Sequence, residues 1–348
     1  MRIVVDVMGG DHGCGVVIEG VKRALEADAK ITELYLVGNQ EAIQAALSAC
    51  QLQDARVRTV HATEVMNMED KPTDAVRKKK DCSMARAMDL VAEGRADAVI
   101  SLGNTGGMLA AATFKLRRLP GVERAGIATV IPAPDNEFVL IDAGANTECK
   151  PIHLVQYAVM GSVYSREILG YKTPRVGILS NGTEEGKGTD LTRETYKLCK
   201  QLDLNFIGYA EGHDLFANKV DVVVCDGFVG NIVLKTCESL AFGIVSMLKR
   251  ELSRNLKNKL GAFLAQDALR ALKRRMDPEG SGGAPLLGLN GIVVKAHGSA
   301  RERAIMKAIL TTTEAVQHQI SQVIAQEIAN ATLRLAAVPT QLPTPIPA

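Results

Sequence analysis

The chain has 348 residues, of which 47% are hydrophobic and 23% charged, enough for a large core in one big domain or two lobes. A net charge of only +2 gives no overall attraction to nucleic acid, so no nucleic-acid partner is expected. The seven cysteines form no Cys-x-x-Cys pair, which favours a reduced, cytoplasmic protein. No signal peptide and no run of about 20 apolar residues is evident, so we expect no membrane span.

Short apolar runs alternate with amphipathic stretches of helix length along the chain. Runs typical of strands buried on both faces lie at 3–7, 34–37, 98–102, 126–131, 139–141, 176–179, 220–225 and 292–294. Segments such as 16–25 and 41–49 have the length of helices. The alternation predicts an α/β fold with a largely parallel sheet.

The chain shows no internal repeat and no Ser/Gly linker that would divide it. Residues 1–338 are therefore predicted to form a single unit. Four prolines fall within residues 339–348, and we expect this tail to be disordered because proline fits neither a helix interior nor a central strand.

Five of the strand-like runs end directly in clusters of glycine and polar residues. These clusters span residues 6–13, 103–107, 142–146, 180–188 and 226–231. Ligands of open parallel sheets bind at strand carboxyl ends, where glycines and helix N-termini let backbone N–H groups approach an anion. Tight-turn chemistry would explain any single loop. Recurrence at five strand ends, expected on one edge of the sheet, predicts an anionic ligand of phosphate size or larger.

Familiar cofactor signatures are missing from these loops. Three residues separate Gly182 from Gly186 before Lys187, whereas a P-loop needs four, and no G-x-G-x-x-G follows the first strand. The six histidines form no i, i+4 pair and adjoin no cysteine. We therefore expect neither a nucleotide cofactor nor a metal.

The loops together resemble those of the PlsX phosphate acyltransferases, over roughly residues 1–315. The motifs that carry the resemblance are residues 5–11, Lys71-Pro72 with 77–80, 103–106, 142–146, 181–188, 226–231 with Leu234-Lys235, 282–289 and 295–299. Departures include Cys14 for proline, Cys82 for serine and Gly107 for alanine. Neither cysteine is a good candidate nucleophile, and a packing role is favoured for both.

The resemblance implies a two-lobed, dimeric three-layer α/β/α fold like the isocitrate and isopropylmalate dehydrogenases and the phosphotransacetylases. It also implies transfer of a fatty acyl group from acyl carrier protein to inorganic phosphate at the start of phospholipid synthesis. A membrane-bound glycerol-3-phosphate acyltransferase would then accept the product. Phosphate is itself a nucleophile, so glycine loops, amides and a few cations would suffice without a covalent intermediate.

Roles are predicted for individual residues of the site. Asn104, Thr105 and Gly106 are expected to donate to phosphate, with Lys187, and more weakly Lys71 or Arg77, supplying charge. His297 is either an acid for the leaving thiolate or a turn residue bonded to backbone. For the carboxylates Asp11, Asp142 and Asp226, loop orientation is favoured over metal binding. The remaining predicted binding residues are Gly9, Gly10, Asn146, Asn181 and Asn231.

Two other functions stay open at this point. One is a phosphotransacetylase-like enzyme that uses acyl-coenzyme A, and the other is a non-catalytic adaptor for a membrane or a carrier protein. The polar loops argue against the adaptor, because an adaptor has no need of them.

The segment from Lys249 to Arg275 contains nine basic and two acidic residues, a local charge of +7. Leucines recur every four residues from Leu248 to Leu260, which predicts basic amphipathic helices at about 240–276. Packing in the core or in a dimer interface is one explanation. Docking of acidic acyl carrier protein and peripheral attachment to an anionic membrane are the others. The predicted contact residues are Leu256, Lys257, Lys259 and Leu260.

Overall fold

The computed structural model describes residues 1–67, 69–72, 77–184, 186–275 and 282–337, without the side chains of residues 273 and 275. The predicted disordered tail at 339–348 lies outside the described residues. The strands are β1 (Arg2–Asp6), β2 (Glu33–Gly38), β3 (Val57–His61), β4 (Ala98–Ser101), β5 (Gly126–Pro132), β6 (Glu137–Ile141), β7 (Val176–Leu179), β8 (Phe206–Ala210), β9 (Val222–Val224), β10 (Ala284–Leu287) and β11 (Ile292–Lys295).

The helices follow the strands in alternation over most of the chain. They are α1 (Gly13–Ala27), α2 (Gln40–Ala49), α3 (Ser83–Ala92), α4 (Thr105–Lys115), α5 (Pro151–Glu167), α6 (Asp190–Cys199), α7 (Gly227–Leu252), α8 (Leu256–Leu264), α9 (Gln266–Arg275), α10 (Glu302–Gln317) and α11 (Ile320–Ala337). A short 3₁₀ turn covers Asp214–Phe216.

The strands form one sheet in the order β3-β2-β1-β4-β11-β10-β5-β6-β9-β7-β8. Pairing is parallel within β3-β2-β1-β4-β11 and again within β6-β9-β7-β8, but antiparallel where β10 and β5 join the two groups. The two parallel groups therefore point in opposite directions. We call the strand ends where β1, β4 and β11 finish the first edge, and those where β6, β7 and β9 finish the second edge.

This topology corrects the expectation that the five glycine loops share one edge. The loops after β1 and β4 lie at the first edge, whereas those after β6, β7 and β9 lie at the second. The physical reason is the β5–β6 pairing, which reverses the chain direction halfway along the sheet.

Helices cover both faces of the sheet. Val4, Val99 and Val293, from the neighbouring strands β1, β4 and β11, belong to a core cluster that also includes residues of α3 and α4. The opposite face packs against α1 and α10 over the first strand group, and against α5 and α11 over the second. The α/β/α fold predicted from the sequence is confirmed, with seven parallel and three antiparallel strand pairs in the described part of the chain.

Helices α7 to α9 stand apart from this packing. Of the 26 residues of α7, only Gly227 and Gly230 are buried, and α8 buries none. In the described residues α7 is the one helix long and apolar enough to cross a membrane by length and composition alone. Its first turn is nevertheless tied to the sheet, because a Cβ on Gly230 would clash with the carbonyl of Asp142.

Candidate functional site

Three neighbouring strands end in a polar row at the first edge. Asp6 of β1 pairs with Ser101 of β4, and Ser101 pairs with Lys295 of β11. Two residues earlier the same strands place Val4, Val99 and Val293 side by side in the core. Because side chains alternate along a strand, Asp6, Ser101 and Lys295 project from the same face as those valines. The core face thus changes from apolar to polar at one level across three strands.

Asp6 is the acidic end of this row and is 1% exposed. Its Oδ2 accepts from Ser101 Oγ at 2.8 Å, and its Oδ1 accepts from the Met8 N–H at 3.2 Å. Burial raises the pKa of Asp6, while hydrogen bonds from Ser83, Ser101 and Met8 oppose that rise. The carboxyl group is thus held in place from β4, α3 and its own loop.

Lys295 is the basic end of the row. Its Nζ donates to the carbonyls of Leu102, at 3.2 Å, and Ala296. Burial lowers the pKa of Lys295 to about 8, against the opposing charges of Asp11 and Asp6 and with the added repulsion of Lys235. Partial deprotonation near neutral pH makes this lysine chemically distinct from a surface lysine.

The N-terminus of α4 opens beside this row. Asn104 caps the helix, with its Oδ1 accepting from the Gly107 N–H at 2.8 Å, and the exposed Thr105 begins the first turn. The loop after β1 approaches so closely that a Cβ on Gly9 would clash with the backbone of Gly103. Exposed helix-start N–H groups and the helix dipole favour a bound anion here.

The loop after β11 completes the first edge. The Asp11 N–H donates to the Gly298 carbonyl at 2.8 Å, and Gly10 packs against Leu102. The Ser299 N–H donates to Nδ1 of the exposed His297 at 3.3 Å, and Ser299 Oγ lies 2.8 Å from the same nitrogen. With Nδ1 accepting, the neutral ring carries its proton on Nε2. His297 therefore has both the backbone bond of a turn residue and a donor for a ligand.

Of the predicted basic residues, Lys71 also belongs to the first edge. A Cβ on Gly106 would lie 2.8 Å from Pro72 Cγ, so the segment before α3 packs over the start of α4. Lys71 and Arg77 are both exposed. Nearby, Lys79 pairs with Asp70 at 2.5 Å and donates to the Val65 carbonyl, which fastens this segment.

The second edge is organised by Asp142, which is fully buried. Its Oδ1 accepts from the N–H groups of Ile127, Gly144 and Ala145 at 2.9 to 3.1 Å. Its Oδ2 accepts from the backbone and side-chain nitrogens of Asn146 at 2.8 and 3.0 Å. Burial raises the pKa of Asp142, and hydrogen bonds from Ala145, the Asn146 side chain, Ile127 and Gly144 oppose the rise. The arrangement is that of a carboxylate that orients its loop.

Asn146 and Asp226, at the second edge, also use their side chains for hydrogen bonds within the protein. Nδ2 of Asn146 also contacts the Ala125 carbonyl and Tyr157 Oη, at 2.7 and 3.0 Å. Asp226 caps α7, with its Oδ1 accepting from the N–H groups of Phe228 and Val229 at 2.9 Å. Asn231, in the second turn of α7, is exposed and lies against Gly144.

The loop after β7 also lies at the second edge. Asn181 Oδ1 accepts from the Gly188 N–H at 2.9 Å, which closes the loop and leaves the Lys187 side chain exposed. Lys187 was predicted to act together with Asn104 and His297. The structure puts Asn104 and His297 in loops of the first edge and Lys187 in a loop of the second.

Helix α7 links the two edges. It begins at the Asp226 cap, and Lys235 lies nine residues later, roughly 14 Å along the axis at 1.5 Å per residue. The charge of Lys235 acts on Lys295, which places this part of α7 near the first edge. Val233 and Leu234 pack against the core cluster shared with α3 and α4.

None of the three residues of the polar row, Asp6, Ser101 and Lys295, was given a role in the sequence analysis. Asp6 and Lys295 both stood in motifs, but neither was singled out. The sequence signal for these residues was a polar residue at the last inward-facing position of each apolar strand. In β1, β4 and β11 that position comes two residues after a buried valine and holds Asp6, Ser101 and Lys295. Recognising it requires knowing that β11 lies beside β4, although more than 190 residues separate Ser101 from Lys295 in the sequence.

Neither cysteine singled out by the sequence is activated. Burial raises the pKa of Cys14 to about 11 and also raises the pKa of Cys82. Both thiols are thus protonated at neutral pH, as their predicted packing role requires.

One group of described side chains could hold a metal ion, namely Glu211, His213 and Asp214 after β8. Asp214 already accepts from Lys219 Nζ at 2.7 Å and from the Glu211 N–H at 3.0 Å. The group includes none of the aspartates considered as metal ligands in the sequence analysis.

Comparison with known families matches nearly the whole chain. A family model described as "Fatty acid synthesis protein" matches residues 1–323. A phosphate acyltransferase of Syntrophotalea carbinolica is 47% identical over 325 residues, which cover 93% of this chain and 93% of the relative. A phosphate acyltransferase of Akkermansia muciniphila is 45% identical over 345 residues, covering 97% and 98%.

Solved structures with a similar fold include a phosphotransacetylase from Streptococcus pyogenes. Its TM-score is 0.60 at 18% identity, covering 91% of this chain and 94% of the other. A 4-hydroxythreonine-4-phosphate dehydrogenase from Klebsiella pneumoniae has a TM-score of 0.51 at 14% identity, covering 91% and 99%. At these identities the likeness concerns the fold alone.

Proposed function

Since this chain belongs to the phosphate acyltransferase family and is an acyltransferase that acts on phosphate, we propose that its acyl donor is acyl carrier protein carrying a fatty acyl chain. The arrangement of residues at the first edge is the observation that supports locating the reaction there. There the capped N-terminus of α4 adjoins glycine loops, the partly buried Lys295 and the exposed His297.

The chemistry asks little of the protein beyond this arrangement. A phosphate oxygen forms a bond to the thioester carbon, the carbon–sulfur bond breaks, and sulfur leaves with the electron pair. The proton of the attacking hydrogen phosphate ends on the thiolate, so charge and atoms balance. Helix-start N–H groups orient the phosphate, and donors such as His297 Nε2–H stabilise the oxyanion.

Purified protein tests the donor directly. We expect the long-chain acyl form of acyl carrier protein to release free carrier thiol only when phosphate is present. The same chain on coenzyme A should react at least about tenfold more slowly, because one lost charge-assisted contact is worth about that much. Equal or faster reaction with the coenzyme A thioester would favour the phosphotransacetylase-like alternative. If neither donor releases thiol in a phosphate-dependent way, the non-catalytic adaptor would be favoured.

We further propose a homodimer, formed through the apolar surface of α7. Leu240 and Phe242 are 60% and 78% exposed in the single chain, and α7 has apolar side chains on more than one face. Burial of these side chains against a second copy would remove a large apolar patch from water. Light scattering at micromolar concentration should give twice the chain mass of 37.2 kDa.

Peripheral attachment to the cytoplasmic face of an anionic membrane is proposed for α8. Leu256, Leu260, Phe263 and Leu264 are 84%, 61%, 65% and 77% exposed, with Lys257 and Lys259 on the same short helix. Apolar insertion and roughly 1 kcal/mol per basic residue would combine at a lipid surface. A labile acyl-phosphate would then form close to a membrane-bound glycerol-3-phosphate acyltransferase, at the start of phospholipid synthesis.

Flotation with vesicles separates this proposal from its alternatives. Wild type should float with anionic and not with neutral vesicles, and Leu256→Glu with Leu260→Glu should abolish flotation while the dimer persists. Ala268→Glu with Ala271→Glu on α9 is the matched control, because it adds the same two acidic charges to the same basic segment at exposed positions. Flotation of the double variant at the wild-type level would contradict lipid attachment. Its activity with acyl carrier protein would then test carrier docking.

A further inference from the structure

The strongest feature that the proposed chemistry leaves without a specific function is the ammonium group of Lys295. Lys295 is partly buried at the end of β11, between the buried residues Val294 and Ala296. Its Nζ forms no ion pair within the described part of the chain, although the charges of Asp11 and Asp6 act on it. Partial burial of a cation without an ion pair costs a fold free energy. A lysine perturbed in this way at a strand end is a candidate for binding an anionic ligand.

The hydrogen bonding of Lys295 points the same way. An ammonium group has three N–H donors, and among the described residues two carbonyls accept from it, Leu102 and Ala296. Those carbonyls belong to the two loops that frame the start of α4 and the His297 turn. One donor is therefore left at the meeting point of the loops that form the first edge.

We infer that Lys295 is a catalytic residue that binds the reacting phosphate and neutralises the charge of the tetrahedral intermediate. The inference rests on the proposed function, since it assigns the cation of that site. As the phosphate oxygen bonds to the acyl carbon, negative charge gathers on the former carbonyl oxygen and the phosphoryl oxygens. A fixed ammonium group stabilises this charge more in the transition state than in the separate substrates. Lys295 keeps its proton throughout, so it is a cation and not a base.

The decisive comparison uses three variants and wild type. Lys295→Met removes the charge with little change in side-chain length, Lys295→Arg keeps the charge, and Lys197→Met is the control. Lys197 lies on α6, pairs with Glu194 and is exposed, so its loss should not change turnover. We expect Lys295→Met to lower kcat/KM for phosphate about 100-fold, on the scale of losing an oxyanion donor. Lys295→Arg should recover at least about tenfold of that loss. Thermal unfolding checks that all three fold.

A pH profile adds a readout that a structural role would not move. Because the folded-state pKa of Lys295 is lowered to about 8, its charge is present below that pH and lost above it. Wild-type kcat/KM for phosphate should therefore fall as pH rises through about 8. The facing charged groups are Asp6 on β1, Asp11 in the next loop and Lys235 on α7. Lys295→Arg should lack the alkaline fall, because a guanidinium stays protonated in that range.

The outcomes separate the inference from the function on which it rests. Wild type without phosphate-dependent thiol release from any acyl donor would overturn the proposed function. An active wild type with Lys295→Met folded and within about threefold of it would overturn the inference alone. A fall of kcat/KM at the same alkaline pH in wild type and in Lys295→Arg would also overturn the inference, because a group other than Lys295 would then be titrating.

Discussion

The two edges of the sheet contain the same kinds of residue, but these residues have different roles at each edge. At the second edge, Asp142 accepts five hydrogen bonds from its own loop and β5, and Asp226 caps α7. At the first edge, Thr105 and His297 are exposed, and Lys295 Nζ has two carbonyl acceptors for its three N–H donors among the described residues. A glycine loop with a carboxylate therefore indicates order as readily as binding. Order and binding are distinguished by the donors and acceptors that remain without a partner once the internal hydrogen bonds are counted.

The largest effect is expected from Asp142→Ala, which breaks the second edge as a structural unit. Removing the carboxylate leaves the backbone N–H groups of Ile127, Gly144, Ala145 and Asn146 without this acceptor, whereas Asn146 Nδ2 keeps the Ala125 carbonyl. Each unsatisfied buried donor costs about 1–3 kcal/mol. We expect the free energy of unfolding to fall by about 3 kcal/mol or more, measured by denaturant titration. The exposed Asp203, paired only with Arg334 in the described residues, provides the control Asp203→Ala with a change below about 0.5 kcal/mol. Similar stability of both variants would show that Asp142 does not order its loop.

The next effect, on activity, is expected from Asn104→Ala at the first edge. We predict about a tenfold lower kcat/KM for phosphate, because the variant loses a polar donor and loosens the start of α4. Loss of the helix cap itself should cost about 1 kcal/mol of stability. Asn39→Ala removes an equivalent cap from α2, where Asn39 Oδ1 accepts from the Ala42 N–H at 2.9 Å. If both variants lose stability equally and neither loses activity, Asn104 is only a cap.

A smaller effect is expected from Lys187→Ala, which sharpens the comparison between the edges. An exposed lysine at the second edge acts mainly by attraction of an acidic partner, and such attraction is screened by salt. We predict a three- to tenfold rise in KM for acyl carrier protein at low salt, shrinking at high salt, with KM for phosphate unchanged. A raised KM for phosphate would instead put the anion site within reach of the second edge.

Much of the fold was readable from the sequence, and the gaps have physical causes. The eight apolar runs correspond to β1, β2, β4, β5, β6, β7, β9 and β11. The strands without such a run are β3 and β8, which form the two borders of the sheet and are only partly buried, and β10, which contains Pro285. A border strand needs no continuous apolar run, and proline obscures a strand pattern.

The site was predicted less completely, because the relative direction of two strands cannot be determined from either segment alone. The residues of the first edge come from positions near 10, 105 and 297, all of which the loops indicated. Grouping them apart from Lys187 depends on the β5–β6 reversal, which only the pairing reveals. The pairing of Ser101 with Lys295 likewise joins distant segments. Sequence patterns thus located the polar loops but not their partition between two edges.

The smallest expected effect is that of Cys82→Ser, which tests whether the first edge depends on a thiol. Cys82 is fully buried and occupies the N-cap position of α3 with extended backbone angles (φ −75°, ψ 151°), but its side chain makes no capping hydrogen bond. Serine is a preferred N-cap residue, whose hydroxyl could accept from an N–H of the first turn. We therefore expect unchanged turnover and a free energy of unfolding equal to wild type or higher by up to about 1 kcal/mol. Cys82→Ala, which lacks the hydroxyl, should keep the activity without the gain in stability. A loss of turnover in both variants, or an acyl group found on a cysteine by mass spectrometry, would contradict direct attack by phosphate.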